Sequence, residues 1–207
     1  MKCWVVIIFT FCIVTTSNAQ LIDNYGVKLG ISYSNIDHHF LQMFSDYDAD
    51  YTYGWSFSIY AKQRIIENII LISEIGYIQK GYQDDFIRSN QFGEKLGKFT
   101  VRERFDYLSI KLVPTYEHSF KSFSPYIFIG PKIDIKMILD NDHSDLIEKI
   151  NKTQLGLTYG AGLKVSKIIP YALLIEINSN YDFDYIFKNN FAEIRNISYE
   201  LKIGVEF

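Results

Sequence analysis

From Tyr25 onward the chain alternates apolar and polar residues with a period of two, segment after segment, and helical spacing is nearly absent. The clearest case is NISYELKIGVEF at 196–207, where Ile197, Tyr199, Leu201, Ile203, Val205 and Phe207 alternate with Asn196, Ser198, Glu200, Lys202, Gly204 and Glu206. Earlier segments repeat the pattern at 25–36, 53–62, 69–80, 107–117, 125–139, 153–165 and 171–183. The third is the least regular, because Ile70, Ile72 and Ile78 fall among the polar positions beside Glu74 and Gly76. Pro114 and Pro131 interrupt the fourth and fifth, since proline removes a ladder donor. Alternation this persistent requires a sheet with two unlike faces.

The connections alternate in length. Those at 63–68, 118–124 and 166–170 are short, and those at 37–52, 82–106, 140–152 and 184–195 are long. In an up-and-down barrel, odd and even connections lie at opposite ends, and short turns on one rim with long loops on the other mark outer-membrane barrels. The expected fold is all-β: an eight-stranded antiparallel up-and-down transmembrane β-barrel with short periplasmic turns and long outer loops.

Period alone does not say which face looks outward, because soluble ligand-carrying barrels have an apolar interior. Charge placement decides. The apolar positions of all eight segments carry no charge. The opposite positions hold Lys28, Lys62, Lys80, Lys111, Lys132, Lys136, Lys164 and Lys202 against Glu74, Glu117, Asp134, Glu176, Asp182, Glu200 and Glu206. Glycines share that charged face, including Gly26, Gly54 and Gly162. A glycine weakens a solvated convex surface, but it makes room for a neighbour in a crowded concave one. The charged face is therefore read as the lumen, filled by paired charges because unpaired ones would cost several kcal/mol each. The apolar face looks to lipid, and closure satisfies every backbone group.

The first segment, MKCWVVIIFTFCIVTTSNAQ, reads as a cleaved signal peptide over 1–19. Lys2 precedes an apolar core, and the cut falls between Ala19 and Gln20. Residues 20–207 form the barrel domain. Cys3 and Cys12 both lie in the leader, so the exported chain needs no disulfide. A net charge of −3 and the lack of a basic run argue against nucleic acid as a partner. Tyr and Phe number 16 each, which suits a chain lying between apolar and aqueous phases.

With these segments in place, the chain from about 25 to 207 resembles the outer-membrane β-barrel domain family of the Bacteroidetes, often called PorT-like. The resemblance is carried by YGVKLGISYSNI, by ISEIGYIQKGYQ with Glu74 and Gly81, and by DYLSIKLVPTY, SPYIFIGPKID and LGLTYGAGLKV. The terminal aromatic Phe207 completes it. Ser109 and Lys111 depart from the family, which often has Glu and Pro there. The resemblance implies a monomeric barrel in the bacterial outer membrane, in contact with membrane lipid. It also implies Phe207 as the signal read by the outer-membrane assembly machinery, and an envelope or secretion-system protein as partner.

No cofactor is implied. The loop DYDAD, 46–50, begins like a calcium loop but has Tyr51 and Phe57 where Gly and Glu are needed. His38 and His39 are adjacent, with no further metal ligand set by spacing. The expected role is non-enzymatic: interaction, assembly or envelope integrity through the outer loops. A lipid-modifying outer-membrane enzyme is the alternative, although His38, His39, His118 and His143 all fall in connections. A soluble periplasmic ligand-binding barrel is the third reading.

Overall fold

A computed structural model describes residues 22–40, 47–48, 50–89, 92, 95–137, 151–166, 171–185, 187–188 and 192–207. The expected leader with its cut at Ala19 and Gln20, the residues Asp46 and Ala49, and His143 lie outside the described residues. Eight long strands follow one another: β1 (Asn24–Phe40), β2 (Thr52–Ile66), β3 (Ile69–Ser89), β4 (Lys95–Glu117), β5 (Phe123–Lys136), β6 (Thr153–Val165), β7 (Ala172–Asp182) and β8 (Ala192–Glu206). Each pairs antiparallel with its sequence neighbour, and β8 pairs back onto β1 from Gly26↔Glu206 to Phe40↔Ala192. The eight strands thus close into a ring. Closure is what a strand-spanning protein requires, since lipid offers the backbone no hydrogen bond.

The side chains sort as the alternation predicts. Lys28, Lys62, Glu74, Lys111, Lys132, Asp134, Glu176, Asp182, Glu200 and Lys202 are buried in the lumen, while Trp55, Ile127, Ile177 and Ile203 are exposed on the outside. The irregular third segment has a physical explanation. Ile70, Ile72, Val113, Leu174, Phe128, Tyr60 and Tyr126 form one buried apolar cluster inside the barrel. The lumen is therefore not lined by charge alone, and apolar side chains fill the space around the short-turn end.

Glycines give these rings their room. A Cβ on Gly162 would overlap the ring of Tyr126, and one on Gly26 would lie 2.6 Å from Cζ of Tyr60. Neither ring could hold its place with alanine opposite it. The two prolines sit on adjacent strands in the unpaired interval between Lys111↔Lys132 and Thr115↔Phe128, whose common register sets Pro114 against Ile129 and Pro131 against Leu112. Both lie outside, so the missing donors break no lumen contact.

The long-loop end corrects the expected boundaries. Residues 82–89 and 95–106 are strand and not loop: β3 and β4 stay paired from Ile69↔Tyr116 to Ser89↔Lys95. Beyond Ile78, β3 has left its β2 ladder, and before Tyr107, β4 has no β5 partner. This two-stranded arm continues for about 30 Å at ~3.4 Å per residue. β1 and β8 likewise extend to Phe40 and from Ala192, beyond the expected limits at Ile36 and Asn196. The pieces Tyr47–Asp48 and Phe187–Lys188 pair along their flanks. β5 ends at Lys136, and the expected end at Leu139 lies outside the described residues.

Candidate functional site: the lumen, the mouth and the outer rim

Seven lysines and seven carboxylates form three successive tiers in the lumen, each neutral in itself. Nearest the short turns, Lys62 meets Glu206 and lies 3.7 Å from Glu117, while Lys164 meets Glu117 and lies 3.5 Å from Glu206. Asn24 donates to Glu206 at 3.0 Å. At mid-height, Lys28 bridges Glu74 at 2.9 Å and Glu176 at 2.7 Å. Lys202 bridges Glu74 at 2.9 Å and Glu200 at 3.1 Å, and Lys111 reaches Glu200 at 2.9 Å. Tyr126 donates to Glu176 at 3.0 Å, and Asn180 donates to Glu200 at 2.8 Å.

Toward the long-loop end, Lys80 lies 2.5 Å from Asp134 and 2.9 Å from Asp182. Lys132 lies 2.5 Å from Asp134 and also meets Asp182. Above this box Tyr107 is fully buried, with Gln154 and Asn196 donating toward its hydroxyl at 3.4 Å each. Lys136 stands apart from these tiers, its ammonium 4.7 Å over the ring of Phe105. Pairing of this kind offsets the cost of desolvating each ion. A mid-lumen cavity of about 10 Å³, between Lys28, Glu74, Lys111, Thr158, Glu176 and Asn178, holds no more than one water.

At the mouth, β3 leaves β2 and crosses toward β1. The Ser32 hydroxyl donates to the carbonyl of Gln79 at 2.5 Å, and Ser34 accepts from the Gly81 amide at 2.8 Å. Gly54 permits the crossing, because a Cβ there would stand 2.5 Å from the Gln79 oxygen. Asp50 then pairs with Gln83 through two backbone bonds, one residue out of the barrel register. On the arm, Arg102 forks onto Gln83 at 2.6 and 3.1 Å, and Lys98 meets Asp85 at 2.6 Å. Phe92 and Phe99 are exposed.

Aromatics ring both ends of the outer face. At the short-turn rim, Phe207 stacks on Tyr25 at 5.6 Å, meets Tyr171 edge-on at 5.1 Å, and donates its backbone N–H to the Tyr25 carbonyl at 2.8 Å. At the other rim, Tyr33 stacks on Tyr51 at 4.5 Å and meets Tyr53 at 4.9 Å, with Tyr199 next to Tyr51. From Tyr25 to Tyr33 is about 27 Å along the strand, or ~20 Å across the membrane at a ~40° tilt.

His118 packs edge-on against Phe120 at 4.8 Å in a short turn. The side chains of His38 and His39 lie outside the described residues. One functional feature escapes the sequence analysis. Arg195 lies on the lipid-facing side of β8 between Tyr181 and Tyr185, inside what reads as a loop. Extending the alternation of NISYELKIGVEF backward by one step would have placed this cation on the apolar face.

A closed ring with an apolar exterior between two aromatic belts and a charged, packed interior defines an integral barrel of the bacterial outer membrane. The family profile for the outer membrane protein beta-barrel domain matches residues 18–192, and the chain belongs to that family. No curated protein sequence matches it. Among solved structures, Neisserial surface protein A is similar over 88% of this chain and 95% of its own, at 18% identity with a TM-score of 0.51. Ail of Yersinia pestis, solved with the heparin analogue sucrose octasulfate, gives 15% identity and a TM-score of 0.45 over 89% and 98%. The outer membrane protease OmpT of Escherichia coli gives 11% and 0.49 over 93% and 99%. At these identities the likeness concerns the fold alone.

Proposed function

We propose that this barrel is a non-enzymatic, monomeric interaction or assembly protein of the outer membrane, engaging a protein partner of the envelope through its outer arms. Support for protein secretion, as the PorT-like resemblance implies, is the sharper form of this reading. The observation that carries it is the contrast between a lumen blocked by buried ion pairs and an arm that projects exposed Phe92, Phe99 and alternating charges. Aromatic residues on a projecting element are a common means of protein recognition.

The test is photo-crosslinking in intact cells from Phe99 and Arg102 on the arm, with Phe120 in a short turn as the control. An envelope protein trapped only from the arm supports the reading. Equal capture from both ends, or none from the arm, counts against it. A lipid-modifying enzyme replaces this reading if loss of the gene alters envelope lipid structure and recovery requires intact His38, His39, His118 and His143.

A further inference from the structure

Among the described outward side chains of β7 and β8, Arg195 is the one cation. It continues the lipid-side alternation of Ile197, Tyr199 and Leu201, at the long-loop rim. Nη1 donates to the Tyr181 hydroxyl at 2.9 Å, Nη2 donates to the Tyr185 hydroxyl at 2.5 Å, and the guanidinium lies 4.3 Å from the Tyr185 ring centre. Among the described side chains no carboxylate forms an ion pair with it; the side chain of Asp37, its cross-strand partner on β1, lies outside them. Its Nε–H is buried and has no hydrogen-bond partner among the described residues. A half-buried guanidinium held between two phenols is aimed, and among the described side chains no carboxylate matches its charge. The Tyr181 hydroxyl, already accepting from Nη1, keeps its own O–H to donate.

Toward the membrane centre, Ser179 and Ile177 of β7 and Tyr199 of β8 help to line an apolar groove of about 840 Å³ that continues across β6, β5 and β4. Ser179 and Ala161 form its low points between Tyr159, Ile177 and Tyr199. A cation at the headgroup level above an acyl-sized groove matches a phosphorylated lipid. The long-loop rim faces the cell exterior, which assigns the lipid to the outer leaflet. A guanidinium fork with an adjacent phenol also suits a phosphomonoester, which has more charge and more free oxygens than a diester.

We propose that Arg195 and Tyr181 hold a phosphate of a lipid A-type glycolipid, one of whose acyl chains lies in the groove over Ser179 and Ala161. This site is independent of what the arms bind. The test reconstitutes the full barrel in phosphatidylcholine nanodiscs doped with lipid A, with dephosphorylated lipid A, or with phosphatidylglycerol. Lipid retained on the protein is measured by mass spectrometry. Lipid A is retained, and Arg195→Gln lowers retention at least about tenfold, the scale of a lost charge-assisted hydrogen bond. Ser179→Leu, which fills the groove without touching the cation, also lowers it, and Lys121→Gln in a short turn leaves it unchanged. Arg195→Lys keeps the charge but loses the fork, so it gives an intermediate loss. Heat-modifiable migration shows that each variant is folded. Equal retention of dephosphorylated lipid A or of phosphatidylglycerol overturns the proposal, as does undiminished retention by folded Arg195→Gln.

Discussion

Lys80 and Asp134 meet at 2.5 Å inside the barrel, and Lys98 and Asp85 meet at 2.6 Å on the β3–β4 arm. The distances are nearly the same, but the surroundings differ: the first pair is 1% and 0% exposed, the second 64% and 27%. Water screens the arm pair and would solvate either partner alone, so neither depends on the other. In the lumen no solvent substitutes for a missing partner, and the pair is a condition of folding. The same chemistry is thus structural in one place and incidental in the other. The wall tolerates charge only in balanced sets, while the arm is free to vary.

The largest expected effect breaks the inner member of that comparison. Lys80→Met leaves two buried carboxylates sharing Lys132, and destabilises the barrel by about 3–5 kcal/mol. The measurement is the urea midpoint of the detergent-folded protein. Adding Asp182→Leu restores balance and recovers much of the loss; a double variant as unstable as the single would show that packing, not charge, governs the tier. Next in size, Gly162→Ala forces Tyr126 from its seat and costs about 1–3 kcal/mol by the same measurement.

Smaller still is the effect of cutting the arm from the wall. Ser32→Ala with Ser34→Ala removes the two side chains that tie β3 to β1 at the mouth, at about 1 kcal/mol for each bond. Hydrogen exchange should quicken at residues 79–84 while heat-modifiable migration persists; uniform loss of protection around the ring would contradict this. The smallest effect is at Asp85. Hydrogen bonds from Lys98 and Thr100 hold its carboxyl below the usual 3.8. Its contribution to arm order is therefore complete above that value and is lost as pH falls through the lowered one. Arm exchange relative to the intrinsic amide rate should rise in the wild type as pH falls through that lowered value, and Asp85→Asn should flatten that rise without moving the barrel's unfolding midpoint.

The wall was readable in the sequence because its two faces meet different media. Ile197, Tyr199 and Leu201 against Ser198, Glu200 and Lys202 record that contrast residue by residue. The arm was not readable, since both of its faces are wet. In KLGKFTVRERF, 95–105, no apolar stripe separates one side from the other, so the pattern does not mark a strand although every residue but Leu96 is paired with β3. The lumen charges were identifiable one at a time, but their division into tiers was not. Which lysine meets which carboxylate depends on the stagger between strands, and alternation within a strand carries no information about stagger. Ile70 and Ile72 break the alternation for a related reason: an interior position accepts an apolar residue wherever other apolar residues surround it.

The tiers also bear on the order in which the wall is assembled. The tier at the long-loop end draws on β3, β5 and β7, and is complete before the last strand arrives. The other two are not. Without β8, Lys62 and Lys164 share Glu117 alone, and Lys111 has only Glu74 at 3.8 Å in place of Glu200 at 2.9 Å. A seven-stranded intermediate therefore carries surplus positive charge on its concave side, and the arrival of Glu200 and Glu206 discharges it. The final strand closes an electrostatic account as well as a hydrogen-bonded one, so a sheet that curls prematurely is penalised until the correct edge docks.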